Sequence, residues 1–141
     1  MTDPKSKHVN SLTIERYSSI NVDAPIGILD TGLGGLTVMK QIMKALPYEN
    51  LIYFGDTARV PYGGKSRETI IRYSIENVIF MMQKNIKMLV IACNTITAYA
   101  LEKLKQIFNI PIIGVISPGA RRATEVTHNQ KITVLGTKAT I

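Results

Sequence analysis

Met88-Leu89-Val90-Ile91-Ala92-Cys93-Asn94-Thr95 is the stretch on which the reading of this chain turns. Its apolar run reads as a strand covered on both faces, as in parallel sheets, and the small polar pair Asn94-Thr95 then turns the chain into a helix. In an open parallel sheet, ligands bind in the crevice beyond the carboxyl ends of the strands. Cys93, the only cysteine in the sequence, therefore falls at the mouth of such a crevice, beside helix-start N–H groups that favour a thiolate. The same residue also fits a free cysteine packed as a small hydrophobe, the commoner fate of lone cysteines.

Working outward, short apolar runs alternate with longer helical patterns from Pro25 onward. The predicted strands are Ile26–Leu29, Leu51–Phe54, Met88–Ala92, Ile112–Val115 and Ile132–Leu135. Between them, spacings of three, four and seven mark amphipathic helices. The first carries Leu36, Met39, Met43 and Leu46 inward and stops at Pro47. The second starts near Ser66, a good N-cap, with Ile71, Ile75, Val78, Ile79 and Met82 as its stripe. The third runs from about Thr97 to Phe108 with Ala100, Leu101, Leu104 and Phe108 inward, and a shorter helix follows Pro118. This alternation predicts an α/β fold, an open parallel sheet flanked by helices. Residues 1–24 read as a flexible N-terminal extension and residues 25–141 as one domain. Gly136 to Ile141 reads as the turn into a further helix, which predicts a continuation beyond the last residue.

Composition narrows the function classes. Hydrophobic residues make up 45% and charged residues 19%, a globular balance with no apolar run long enough for a transmembrane helix. The polar start, Met1 to Asn10, lacks the apolar stretch of a secretory signal, and a single cysteine without a disulfide framework fits the cytoplasm. The net charge of +7 comes from scattered lysines and arginines, with only Arg121-Arg122 adjacent. That pattern argues against specific nucleic-acid recognition and suits an acidic small substrate equally well.

Four segments follow strand ends on one sheet edge: Asp30-Thr31-Gly32-Leu33-Gly34-Gly35, Gly55-Asp56-Thr57 with Arg59 to Gly64 behind it, Cys93-Asn94-Thr95, and Gly136-Thr137. Together they offer hydroxyls, an amide, a carboxylate and a thiol to a small polar substrate bearing an amine and carboxylates. Helix-start N–H groups hold a carboxylate, and Asp30 holds an ammonium or acts as a base. Each of Asp30, Asn94 and Thr95 is also an ordinary turn or cap residue, and only their convergence points to a site. A dinucleotide fingerprint at Gly32-Leu33-Gly34, with Asp56 on the ribose, is disfavoured by Thr37 at the third glycine position and by the charge of Asp30. Gly64-Lys65-Ser66 lacks the first P-loop glycine, which falls at Arg59. His8 and His128 have no spaced partner, so no metal site is expected.

Taken in order, these blocks resemble the N-terminal half of a glutamate racemase. The resemblance runs from Ile26 to the end and rests on Ile26 to Thr37, Tyr53 to Gly63, Val90 to Thr95, Ile110 to Ile116, and Val134 to Thr137. It implies one of two pseudo-symmetric α/β domains that hold glutamate between them, each supplying a cysteine, and a cofactor-independent racemase supplying D-glutamate for peptidoglycan. Cys93 matches the first cysteine, and Asp30 matches a residue assisting it. Asp30-Thr31, Tyr62-Gly63 and Asn94-Thr95 match substrate-binding pairs, and Thr137 matches a carboxylate-contacting threonine.

The chemistry suits these residues. Inversion without a cofactor needs a base on one face of the α-carbon and an acid on the other, and thiols serve both roles near neutrality. This chain departs from the family pattern at Thr31, where serine is usual, and at Ile96, where a small residue is usual; Ile96 either narrows the pocket or packs into the helix. The second cysteine has no counterpart here, so the 141 residues are expected to be inactive alone. Racemases of other acidic amino acids or hydantoins, a non-catalytic binding module, and a homodimer apposing two Cys93 residues are the competing readings.

Overall fold

The computed structural model describes residues 21–141, so the extension expected over residues 1–24 lies almost wholly outside the described residues. Four parallel strands form one sheet: β1 (Ile26–Asp30), β2 (Leu51–Gly55), β3 (Met88–Ile91) and β4 (Ile112–Gly114). Their order is β2-β1-β3-β4. The helices between and after them are α1 (Leu36–Ala45), α2 (Arg67–Met82), α3 (Asn94–Ile107) and α4 (Ile116–Val126).

Period-two alternation divides the strand residues between two apolar layers. Ile26, Ile28 and Val90 pack beneath Val38, Met39 and Ile42 of α1. Leu29, Leu89 and Ile91 face the other way, against Ile70, Val78 and Met81 of α2 and Ala100 and Leu104 of α3. Right-handed crossovers require this split. The chain steps from β1 to β2 in one direction, then crosses back over β1 to reach β3 and β4. The order therefore reverses between β1 and β3, which makes their carboxyl ends the topological switch point of the sheet.

The expected fifth strand, Ile132–Leu135, does not form; residues 131–137 carry no regular structure. Strand β4 is three residues long, and Val115 has already turned into αR backbone, so the sheet edge has little left to pair with. Uncovered apolar side chains give a strand no burial to offset its ordering cost, and Val134 and Leu135 are 61% and 93% exposed. The segment instead runs beside α4, lining an apolar groove with Ile116, Ala120 and Ala123.

Two helix faces also differ from expectation. On α1, Leu36 and Met43 are exposed, as is Leu46 just past its end, and Val38, Met39 and Ile42 turn inward. Both stripes share Met39; the choice follows from how the helix lands at Gly35, where a Cβ would meet those of Asp30 and Ala92 at 2.7 and 2.9 Å. On α2, Ile79 is exposed and the buried face includes the polar Ser74 and Asn77, which a count of apolar residues passes over. Ser66 caps α2 by accepting the Thr69 N–H at 3.2 Å. Helix α3 starts at Asn94 rather than Thr97, and α4 takes Pro118 into its first turn, where the missing N–H costs nothing.

Candidate active site at the β1–β3 switch point

A cavity of about 540 Å³ opens at the carboxyl ends of β1 and β3, lined by Asp30, Gly34, Gly35, Cys93, Asn94, Thr95, Thr137 and Thr140 among others. Its position follows from register. Leu29 pairs with Ile91 and the Ala92 N–H donates to the Leu29 carbonyl at 2.8 Å, so Asp30-Thr31 and Ala92-Cys93 leave the sheet side by side. The Thr31 hydroxyl lies 3.6 Å from the Cys93 sulfur.

Cys93 occupies the N-cap of α3 without a side-chain cap. The first intrahelical bond runs from the Thr97 N–H to the Cys93 carbonyl at 3.0 Å, and the Thr97 hydroxyl donates to the same carbonyl at 2.9 Å. The amides of Asn94, Thr95 and Ile96 therefore have no acceptor within the helix and present partial positive charge at the cavity floor. Ile96 is fully buried in the core, so it packs rather than narrowing the cavity.

Asp30 is buried, and its Oδ2 accepts the Gly35 N–H at 2.8 Å, the Gly32 N–H at 3.3 Å and the Tyr53 hydroxyl at 3.2 Å. Burial comes first, and the charge and hydrogen bond of Asp30 next, in pushing the Tyr53 phenol up to about 12. On the far wall, the Thr95 and Thr137 hydroxyls lie 3.1 Å apart, and Thr137 is 3.2 Å from the Thr140 hydroxyl. Among the described residues, no lysine or arginine lines the cavity. Hydroxyls, the Asn94 amide and the α3 amides are thus the groups available to a carboxylate.

Asp30, Thr31, Cys93, Asn94, Thr95 and Thr137 lie together at this end of the sheet. Thr137 arrives without a strand to carry it. Tyr62 and Gly63 are placed differently. The Tyr62 side chain is buried and its hydroxyl donates to Asp56 at 2.5 Å, and burial followed by that bond raises its phenol well above the ordinary tyrosine range. Gly63 borders the cavity wall, since a Cβ there would lie 2.9 Å from the Thr137 methyl. Asp56, considered above as a ribose ligand, also accepts from Arg59 Nε at 2.7 Å and Asn77 Nδ2 at 3.2 Å, beneath the loop that carries Tyr62. Tyr53 and Thr140 were not singled out from sequence. Alternation along β2 places Tyr53 on the α1 face, but nothing local shows that its hydroxyl reaches the turn after β1.

Among the described residues, no three His, Cys, Asp or Glu side chains gather as a metal site, and no helix is long and apolar enough to cross a membrane. Residues 26–140 match the family model described as Asp/Glu/hydantoin racemase. A glutamate racemase from Geobacter metallireducens is 60% identical over 116 residues, covering 82% of this chain and 43% of the relative. A solved glutamate racemase from Bacillus anthracis superposes with a TM-score of 0.81 at 47% identity, over 85% of this chain and 45% of that one. The Francisella tularensis glutamate racemase, solved in complex with D-glutamate, gives 0.75 at 42% identity, over 84% and 44%. The chain spans less than half the length of these relatives.

Proposed function

This chain belongs to the Asp/Glu/hydantoin racemase family, and from that premise we propose that it forms one thiol half-site of a cofactor-independent racemase interconverting L- and D-glutamate. The observation that carries the reading is Cys93 at the switch point, 3.6 Å from the Thr31 hydroxyl and at the head of an uncapped helix. The substrate class is supported by the donor set, which suits carboxylates, and by a relative solved with D-glutamate.

In this mechanism the Cys93 thiolate takes the α-proton from one face. The C–H electron pair moves into the α-carboxylate, where Asn94, Thr95, Thr137 and the first amides of α3 stabilise the developing charge. A thiol on the opposite face gives its proton to the α-carbon, and the two sulfurs have then exchanged protonation states. Asp30 holds the ammonium or orients the thiol, and the loop at Gly63 borders the bound substrate. The opposite thiol comes from outside this sequence, which has one cysteine. The enzyme acts in the cytoplasm and supplies D-glutamate to peptidoglycan synthesis.

The test is complementation. Mixed with the separately produced complementary half of the Geobacter metallireducens relative, the chain is expected to racemise L-glutamate, followed by circular dichroism, and Cys93→Ala is expected to abolish it in both directions. Undiminished racemisation by Cys93→Ala would sink the assignment. A faster rate on aspartate or a hydantoin in the same assay would move the substrate within the family.

A further inference from the structure

Tyr53 stands one strand away from the cavity and is not among its lining residues, yet it reaches the turn that supports Cys93. Its ring lies on the α1 face of the sheet with Ile26, Ile28 and Val90. The ring passes over Gly55, where a Cβ would lie 3.2 Å from Tyr53 Cε1 and collide with the Gly32 carbonyl oxygen. The absent side chain at Gly55 thus lets the phenol and the β1 turn meet. The Tyr53 hydroxyl is 2.6 Å from the Gly32 carbonyl and 3.2 Å from Asp30 Oδ2. These acceptors flank Thr31, whose own hydroxyl contacts the Cys93 sulfur.

We propose that Tyr53 is a positioning residue that clamps the Asp30–Gly32 turn from both sides of Thr31 and so holds the Thr31 hydroxyl against the Cys93 sulfur. The inference rests on Cys93 being the reactive thiol of the site. With its pKa pushed up to about 12 by burial first and Asp30 second, the phenol is a donor throughout the range in which a thiol base works. One proton serves two acceptors. The shorter contact to Gly32 fixes the backbone, and the Asp30 carboxylate shares the same donor alongside the Gly35 and Gly32 amides. The hydroxyl of Thr31, oriented in this way, is the donor to the sulfur when it attacks as an anion, and fixes its direction.

Alkylation of Cys93 by iodoacetamide in the 141-residue chain reads this without substrate or turnover, so its failure is separable from failure of the racemase reading. Tyr53→Phe keeps the ring and removes the donor. The second-order rate at pH 7.5 is expected to fall roughly three- to ten-fold, the scale of one hydrogen bond, with the far-ultraviolet spectrum retained. Thr31→Val is expected to lower the rate similarly. In the Thr31→Val background, Tyr53→Phe should then have no further effect, because both changes remove the same contact. A parental rate in Tyr53→Phe would overturn the proposal, and so would an undiminished Tyr53→Phe effect in the Thr31→Val background. Should Tyr53→Phe fail to fold, Tyr53→His, which retains a ring and a donor, is expected to alkylate faster than Tyr53→Leu; equal rates would overturn the clamp.

Discussion

At the residue scale the site is governed by one carboxylate and the groups that converge on it. Asp30 gathers two backbone amides and a phenol onto a single oxygen. Asp30→Asn removes the charge and nearly preserves shape, so its effect on Tyr53 separates electrostatics from burial. The Tyr53 phenol, held at about 12 by burial first and Asp30 second, is expected to move down toward its ordinary value of about 10 without reaching it, because burial remains. Carbon-13 NMR of labelled tyrosine across pH 8–12.5 checks this, and an unmoved Tyr53 resonance would contradict the Asp30 contact. The sign of the linked stability follows. A phenol raised on folding contributes stability that is complete below about pH 10 and lost as pH rises through about 12. Tyr53→Phe should therefore flatten the alkaline decline of stability between those limits.

At the scale of elements, α1 is the part whose placement matters most to the cavity. Its N-cap, Gly35, lies within contact of Asp30 and Ala92, and the Gly35 amide binds the Asp30 carboxylate. A Cβ at residue 35 would meet two other Cβ atoms below 3.0 Å, and neither can rotate away. Gly35→Ala should consequently lift the start of α1 off the sheet, destabilising the chain by about 1–3 kcal/mol, as urea unfolding would measure. It should also speed or slow Cys93 alkylation by displacing Asp30; parental stability with a parental alkylation rate would show that α1 is not seated as described. On the other face, a network of buried Asp56, Tyr62 and Asn77 with half-buried Arg59 ties the loop before α2 to α2 itself. Sequence reading found both neighbouring helices, but this network uses polar residues that periodicity counts as surface.

At the scale of the whole molecule, the cavity is one-sided. One sulfur can serve only one face of an α-carbon, and the sequence holds no second thiol. The 141-residue chain incubated with L-glutamate is accordingly expected to leave its circular dichroism unchanged. Sustained loss of optical activity that disappears in Cys93→Ala would instead favour a homodimer apposing two Cys93 residues, and sedimentation of the chain would then have to show a dimer. The groove between α4 and residues 132–135, with Ile132, Val134 and Leu135 exposed, adjoins the same cavity through Asn94, Val115 and Thr140.

Local patterning by itself determined the apolar strand runs that lead into Asp30 and toward Cys93, and the helices between them. Those features depend on periodicity and on strand ends, which are properties of neighbouring residues. The fate of Ile132–Leu135 was decided elsewhere, because a strand exists only when an edge is free to pair with it, and β4 ends at Gly114. The same holds for the seating of α1, set by the bare backbone at Gly35, and for the inward turn of Tyr62 toward Asp56. Tyr53 is the clearest instance: its hydroxyl meets a turn some twenty residues earlier only because β1 and β2 pair in register and Gly55 leaves the space. Contacts of that kind depend on distance in space, and tertiary structure alone sets them.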